Sequence, residues 1–82
     1  MFFTYIIYSP SIDAYYIGSS GQLEDRLYRH NHSGSKSTKK ANDWELKFAR
    51  PFATMAEAVQ YEYLIKRKKS RSYIEWLITN NG

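Results

Sequence analysis

The sequence predicts a small α+β domain: a three-stranded antiparallel sheet flanked by helices, in the order β-β-α-β-α-α. Three observations predict it. Two tyrosine-rich runs, residues 3–7 and 15–18, flank the short polar stretch Ser9-Pro10-Ser11-Ile12-Asp13, as the strands of a hairpin do. Trp44, Leu46 and Phe48 alternate with Glu45, Lys47 and Ala49, the pattern of a third strand. The remaining stretches carry apolar residues at helical spacing.

Each element has its own signals. Residues 2–8 are apolar on both faces, with Phe3, Tyr5 and Ile7 on one and Phe2, Thr4, Ile6 and Tyr8 on the other, so this strand is expected to be central and covered on both sides. Residues 14–18 form the second strand, ended by Gly18, and Ser19-Ser20-Gly21 breaks the chain before a helix. Glu24 and Asp25 fall in its first turn, where the helix dipole favours negative charge. That helix is expected to run to about Asn31, with Leu23 and Leu27 inward. Residues 32–43 read as a long polar loop, a type often functional. The third strand is expected to close at Pro51, which cannot donate to a ladder. Thr54-Met55-Ala56-Glu57 has the capping-box pattern, and its helix should reach about Lys69. Ser72-Tyr73-Ile74-Glu75 repeats the signature and opens a last helix, ended by Asn80-Asn81-Gly82. No repeat or linker is visible, so residues 1–82 read as a single domain.

Composition narrows the function. With 82 residues the core must be aromatic-rich or stapled. The chain has no cysteine, which excludes disulfides, a thiolate zinc site and a cysteine nucleophile, while its 17% aromatic content supplies the other route. The N-terminal apolar run ends by Tyr8, too short for a signal peptide or membrane span, so a cytoplasmic protein is expected, with the bacterial nucleoid an alternative location. Net charge is +4, and the excess is clustered: Lys36, Lys39 and Lys40 in the loop, then Lys66-Arg67-Lys68-Lys69-Ser70-Arg71. Such patches suit a polyanion, most simply nucleic acid, although cations also suit helix C-termini.

Three clues concern chemistry. The two tyrosine-rich strands can set tyrosines side by side, as core or as titratable hydroxyls. Glu62 falls in the apolar stripe Met55, Ala58, Val59, Glu62, Ile65 of the second helix. A carboxylate there is paired, protonated or metal-bound, unless it sits at the stripe's edge and reaches solvent or a lysine. One carboxylate can hold a hard cation such as Mg²⁺, with water and substrate phosphate completing its shell. Arg26 and His30, four apart, share one helix face; arginine grips phosphate and histidine moves protons near neutrality, yet such a pair is also an ordinary surface feature. In the loop, Lys36, Lys39 and Lys40, with the Thr38 hydroxyl, can hold a nucleic-acid backbone or simply be solvated. Trp44 and Trp76 fit apolar patterns and are expected in the core rather than stacked on bases. His32 shows no evident partner.

Taken together, these residues resemble the GIY-YIG nuclease family. Phe3-Thr4-Tyr5 stands where that family's first motif would be, and Tyr16-Ile17-Gly18 matches its second. Arg26 and His30 follow within Leu23-Glu-Asp-Arg-Leu-Tyr-Arg-His-Asn31, and Glu62 within Ala58-Val-Gln-Tyr-Glu-Tyr-Leu-Ile-Lys66. The match spans roughly residues 3–69 and is similar to the small stand-alone bacterial members and to the catalytic module of flap and junction nucleases. Gly-Ile of the first motif is replaced by Phe3-Thr4, and the family's downstream asparagine has no evident counterpart near Lys66–Arg71.

The resemblance implies a GIY-YIG-like fold and a metal-dependent endonuclease that hydrolyses DNA phosphodiester bonds, structure-selective or acting in DNA repair or recombination. It implies Glu62 as anchor for Mg²⁺ or Mn²⁺, and Tyr5 as general base or water-positioner. Tyr16 would orient water or phosphate, Arg26 would neutralise phosphate charge, and His30 would hold the Tyr5 hydroxyl or relay its proton. Lys36, Thr38, Lys39, Lys40, Lys66, Lys68 and Lys69 are the expected nucleic-acid contacts. DNA, branched or flap-bearing, is the expected partner, with no membrane and with room for a protein that supplies specificity. The alternative is a non-catalytic nucleic-acid-binding module on the same scaffold. Tyr8 and Tyr15 are left to packing or the rim.

Overall fold

The computed structural model describes residues 1–32 and 38–81. The elements are β1 (Phe2–Ser9), β2 (Ala14–Ser20), α1 (Leu23–His32), β3 (Glu45–Phe52), α2 (Met55–Lys68) and α3 (Arg71–Asn81). They form one antiparallel sheet of order β2-β1-β3, so the central strand is the one whose two faces are both apolar. The α+β class and the β-β-α-β-α-α order match the sequence reading.

Strand alternation separates two cores. On one face Ile6, Ile17 and Phe48 pack against Ile65 of α2 and Leu77 of α3. On the other, Tyr5, Ile7 and Trp44 pack against Leu23 and Leu27 of α1. Ile65 is almost fully buried, and its truncation to alanine would cost about 2–5 kcal/mol. Two side chains dock α2 on the sheet. Thr4 donates to the Ala58 carbonyl at 2.6 Å, and Ser19, paired with Thr4 across the hairpin, lies 3.2 Å from the same oxygen. Ala58 is fully buried and small, which permits that close approach.

Several boundaries differ from expectation for tertiary reasons. β2 continues past Gly18 to Ser20, because Ser19 and Ser20 still pair with β1. β3 does not close at Pro51, which pairs with Phe3; β3 is an edge strand, where a missing N–H is tolerated. Ile6 pairs with Phe48 but Ile7 with Leu46, so a bulge at Lys47 puts Leu46 and Phe48 on opposite faces. Leu46 is accordingly exposed and Phe48 buried. Met55 is exposed as well, so the buried stripe of α2 begins at Ala58. The capping box at Thr54 and Glu57 is formed. α3 is capped by Ser70 rather than Ser72, the Ser70 hydroxyl accepting from the Tyr73 N–H at 3.2 Å. Trp44 is buried as expected, but Trp76 is 55% exposed, because α3 turns Leu77 and not Trp76 to the core.

Arg71 ties the hairpin tip to α3. It hydrogen-bonds Asp13, which also accepts from the Tyr8 hydroxyl at 2.6 Å, and its guanidinium lies 5.0 Å from the Tyr15 ring. These contacts place Tyr8 and Tyr15 at a structural end of the hairpin. Among the described residues no helix is long and apolar enough to cross a membrane.

Candidate active site

Side chains from both faces of the sheet meet around the β2 edge. Tyr5, on central β1, turns toward α1. Its ring lies over Gly18, directly opposite in the ladder, where a Cβ would stand 2.5 Å from the tyrosine oxygen and 2.7 Å from the ring carbon bearing it. Glycine is therefore required there by the aromatic ring and not by a turn. The Tyr5 hydroxyl is 2.9 Å from His30 Nε2. The other ring nitrogen, Nδ1, is 2.9 Å from Thr38 Oγ1. Tyr16 flanks the same imidazole, ring centroids 4.9 Å apart.

His30 is buried at the C-terminal half of α1, while Arg26, one turn earlier, is exposed beside it. Burial, then the Arg26 charge, pushes the His30 pKa below the usual 6.5, so the ring is neutral at pH 7. Burial pushes the Tyr5 pKa far above its ordinary value; Tyr16 adds to the rise, Arg26 opposes it, and Glu62 adds to it. Tyr5 is thus a phenol in the free protein, and Arg26, Tyr16 and Glu62 all lie within electrostatic reach of it.

Glu62 approaches from the opposite face on α2. Its Oε1 accepts from the Ser19 hydroxyl at 2.6 Å, and its Oε2 is 2.6 Å from Lys66 Nζ. The carboxylate side chain is only 14% exposed. Lys66 also lies 5.9 Å from the Tyr16 ring centroid, so it spans the edge between the two faces. A hard cation needs an oxygen donor with room for water and phosphate, and Glu62 fits that one-carboxylate pattern. Oε2 already carries a positive partner, and Ser19 fixes the other oxygen. Among the described residues no group of three or more His, Asp or Glu side chains forms a denser metal site.

The other expected contacts are distributed. Lys39 and Lys40 are exposed in a turn after α1. Lys36 lies outside the described residues. Thr38, expected to offer its hydroxyl to nucleic acid, is fully buried with that hydroxyl on His30. Lys66 is engaged by Glu62, and Lys68 lies 5.5 Å from the Tyr73 ring on α3. Lys69 caps α2 in a left-handed conformation, φ 47°. His32 does have a partner: its ring stacks on Tyr28 with centroids 3.8 Å apart.

Ser19 was missed in the sequence, and Thr38 was expected on nucleic acid rather than on His30. Ser19 orients Glu62, and Thr38 holds His30. Ser19 carried a faint signal, because it lies two residues beyond Ile17 on the face that α2 covers. Thr38 was named for its hydroxyl, but its place against His30 carried no signal, because it depends on a contact across a loop.

The chain is similar to known proteins over most of its length. The family described as GIY-YIG catalytic domain matches residues 1–74. UPF0213 protein YazA of Bacillus subtilis is 42% identical over 67 residues, which cover 77% of this chain and 68% of that protein. A UPF0213 protein of Bacillus pumilus is 42% identical over 64 residues, 73% of this chain and 65% of its own. One from Streptococcus pneumoniae is 38% identical over 68 residues, 82% and 69% of the two chains. No solved structure matches the chain significantly.

Proposed function

From the premise that the chain belongs to the GIY-YIG family, whose catalytic domain is that of a nuclease-type enzyme acting on DNA and generally using a divalent metal, we propose that this protein is a metal-dependent DNA endonuclease hydrolysing phosphodiester bonds. The observation that carries the reading is the hydrogen bond between Tyr5 and a buried, neutral His30, with Arg26 and Glu62 in electrostatic reach of the same hydroxyl.

Each residue follows from its surroundings. Tyr5 orients the attacking water; as that water's proton passes to the tyrosine oxygen, the tyrosine's own proton passes to His30 Nε2. The route suits a phenol that burial keeps protonated. Tyr16 borders the imidazole and aligns water or phosphate. Arg26, exposed at the rim, neutralises charge that grows on the phosphate, a role often worth about 2.7–4 kcal/mol. Glu62, held by Ser19, anchors Mg²⁺ or Mn²⁺. When bound, the metal supplies Lewis-acid polarisation of the phosphate and stabilises the leaving 3′-oxygen. Lys39 and Lys40, with Lys36, Lys68 and Lys69, supply backbone contacts.

Selectivity is assigned to DNA structure, such as flaps and branches met in repair or recombination, or to a protein partner. The cytoplasm or nucleoid is the fitting compartment. The test is a cleavage panel over linear, flap, splayed and supercoiled DNA with Mg²⁺ or Mn²⁺. Wild type should cut, while Tyr5→Phe, Arg26→Ala and Glu62→Ala should lose at least about 10²-fold. Binding of every substrate with no cutting of any would establish the alternative, a non-catalytic binding module.

A further inference from the structure

Among the described residues between α1 and Trp44, Thr38 is the polar side chain that is completely buried. Its position is set from several directions. The Trp44 indole N–H donates to the Thr38 carbonyl at 2.9 Å, and the Ala41 N–H donates to the same oxygen at 3.3 Å. Trp44 is in turn bracketed by Asn31, whose side chain accepts from the Trp44 N–H at 2.6 Å and donates to its carbonyl at 3.0 Å. Asn31 adjoins His30 in α1. The result is a closed circuit: His30, Asn31, Trp44, Thr38 and back to His30.

The circuit ends on the imidazole that meets Tyr5. A phenol hydroxyl is a better donor than acceptor, and an imidazole nitrogen is the better acceptor of the two. The Tyr5 hydroxyl therefore donates to Nε2. A neutral ring then carries its proton on Nδ1, and that N–H donates to Thr38 Oγ1. We propose that Thr38 is a positioning residue for the reaction: clamped by Trp44, its hydroxyl oxygen fixes the ring plane and the Nδ1–H tautomer of His30, and so keeps Nε2 open to the Tyr5 proton. When that proton transfers, the Tyr5 O–H bond breaks and an Nε2–H bond forms. The ring becomes an imidazolium, whose Nδ1–H still has an oxygen to receive it. Depressed basicity of His30 in its buried site makes such an acceptor matter, because an unsatisfied N–H on a cation there would be costly.

The inference rests on the nuclease reading for its kinetic consequence but not for its structural one, so the test has two arms. The first reads the ¹⁵N shifts of the imidazole nitrogens in wild type, Thr38→Val and Thr38→Ser. The chain has two histidines, and His32→Asn assigns the signals. Wild type and Thr38→Ser should show His30 with the proton on Nδ1. Thr38→Val, equal in shape but without the oxygen, should move it to Nε2 or to a mixture. An unchanged Nδ1–H tautomer in Thr38→Val, in a variant whose melting curve shows it folded, overturns the proposal. The second arm reads cleavage. Thr38→Val should lower kcat by about 10-fold or more, inside the range general acid–base groups supply, with KM little changed, and Thr38→Ser should restore most of it. A Thr38→Val enzyme with wild-type kcat overturns the kinetic role. If wild type cuts nothing, the nuclease reading fails, and the tautomer arm alone decides the Thr38–His30 link.

Discussion

At the residue scale the site depends on a few contacts with little slack. Gly18→Ala would put a methyl group into the Tyr5 ring, which His30 holds at its far end. Overpacking of this kind costs about 1–3 kcal/mol, and the forced ring shift should reduce cleavage more than stability. Melting curves beside rates would show that split. Lys66 makes a different point. Its ammonium sits on Oε2 of Glu62, the proposed metal anchor, and its half-exposed side chain lets it leave. Lys66→Met should bind Mn²⁺ more tightly than wild type, by calorimetry without DNA, and Glu62→Gln should abolish the binding in either background. His30 sets the pH response. Its folded pKa lies below the unfolded value of about 6.5, so the unfolded chain binds more protons between the two values. The stability linked to His30 is therefore complete above pH 6.5 and declines as pH falls toward the folded pKa. Cleavage should show an acid limb in the same window, absent in His30→Gln. Tyr5, Tyr16 and Arg26 are the groups around the ring, and the Arg26 charge acts on it in the same direction as burial.

At the element scale, helix ends are where local chemistry is most visible. Lys69 caps α2 at φ 47°, a conformation that costs a non-glycine residue roughly 1 kcal/mol. Lys69→Gly should raise the thermal midpoint, read by circular dichroism, with a gain of about 0.5–1 kcal/mol. The sequence made the element order legible because its signals are local: alternation in β1 and β2, the Thr54-Glu57 box, the acidic first turn of α1. The candidate residues Tyr5, Tyr16, Arg26, His30 and Glu62 were named from their spacings, and the fold sets Tyr5, Tyr16 and His30 together on one face of the sheet with Glu62 on the other. What the sequence hid was long-range. The bulge at Lys47, the tolerance of Pro51 and the exposure of Trp76 follow from which strands lie at the edge and which face α3 turns inward. The contact of Ser19 with Glu62 and that of Thr38 with His30 were hidden as well, because each is made between side chains that no sequence spacing links.

At the scale of the whole molecule, a body of about 30 × 27 × 20 Å with net charge +4 presents exposed Lys39 and Lys40 on the segment that follows α1. Binding to duplex DNA should weaken steeply with salt, and Lys39→Ala or Lys40→Ala should each flatten the log–log salt slope by about 0.9 if that lysine touches phosphate. Fluorescence anisotropy over a salt series measures it. A slope near zero in wild type would remove DNA as partner.

The β2 edge has a further consequence. His30 arrives from one side of the sheet and Glu62 from the other, and Tyr5 reaches the former only because β1 and β2 are zipped in register with Gly18 beneath its ring. No stretch of chain shorter than residues 5–62 contains the full set, and no partly folded sheet can align it. If these residues perform the proposed hydrolysis, that activity requires the finished fold, and the packing that stabilises the molecule also assembles its site.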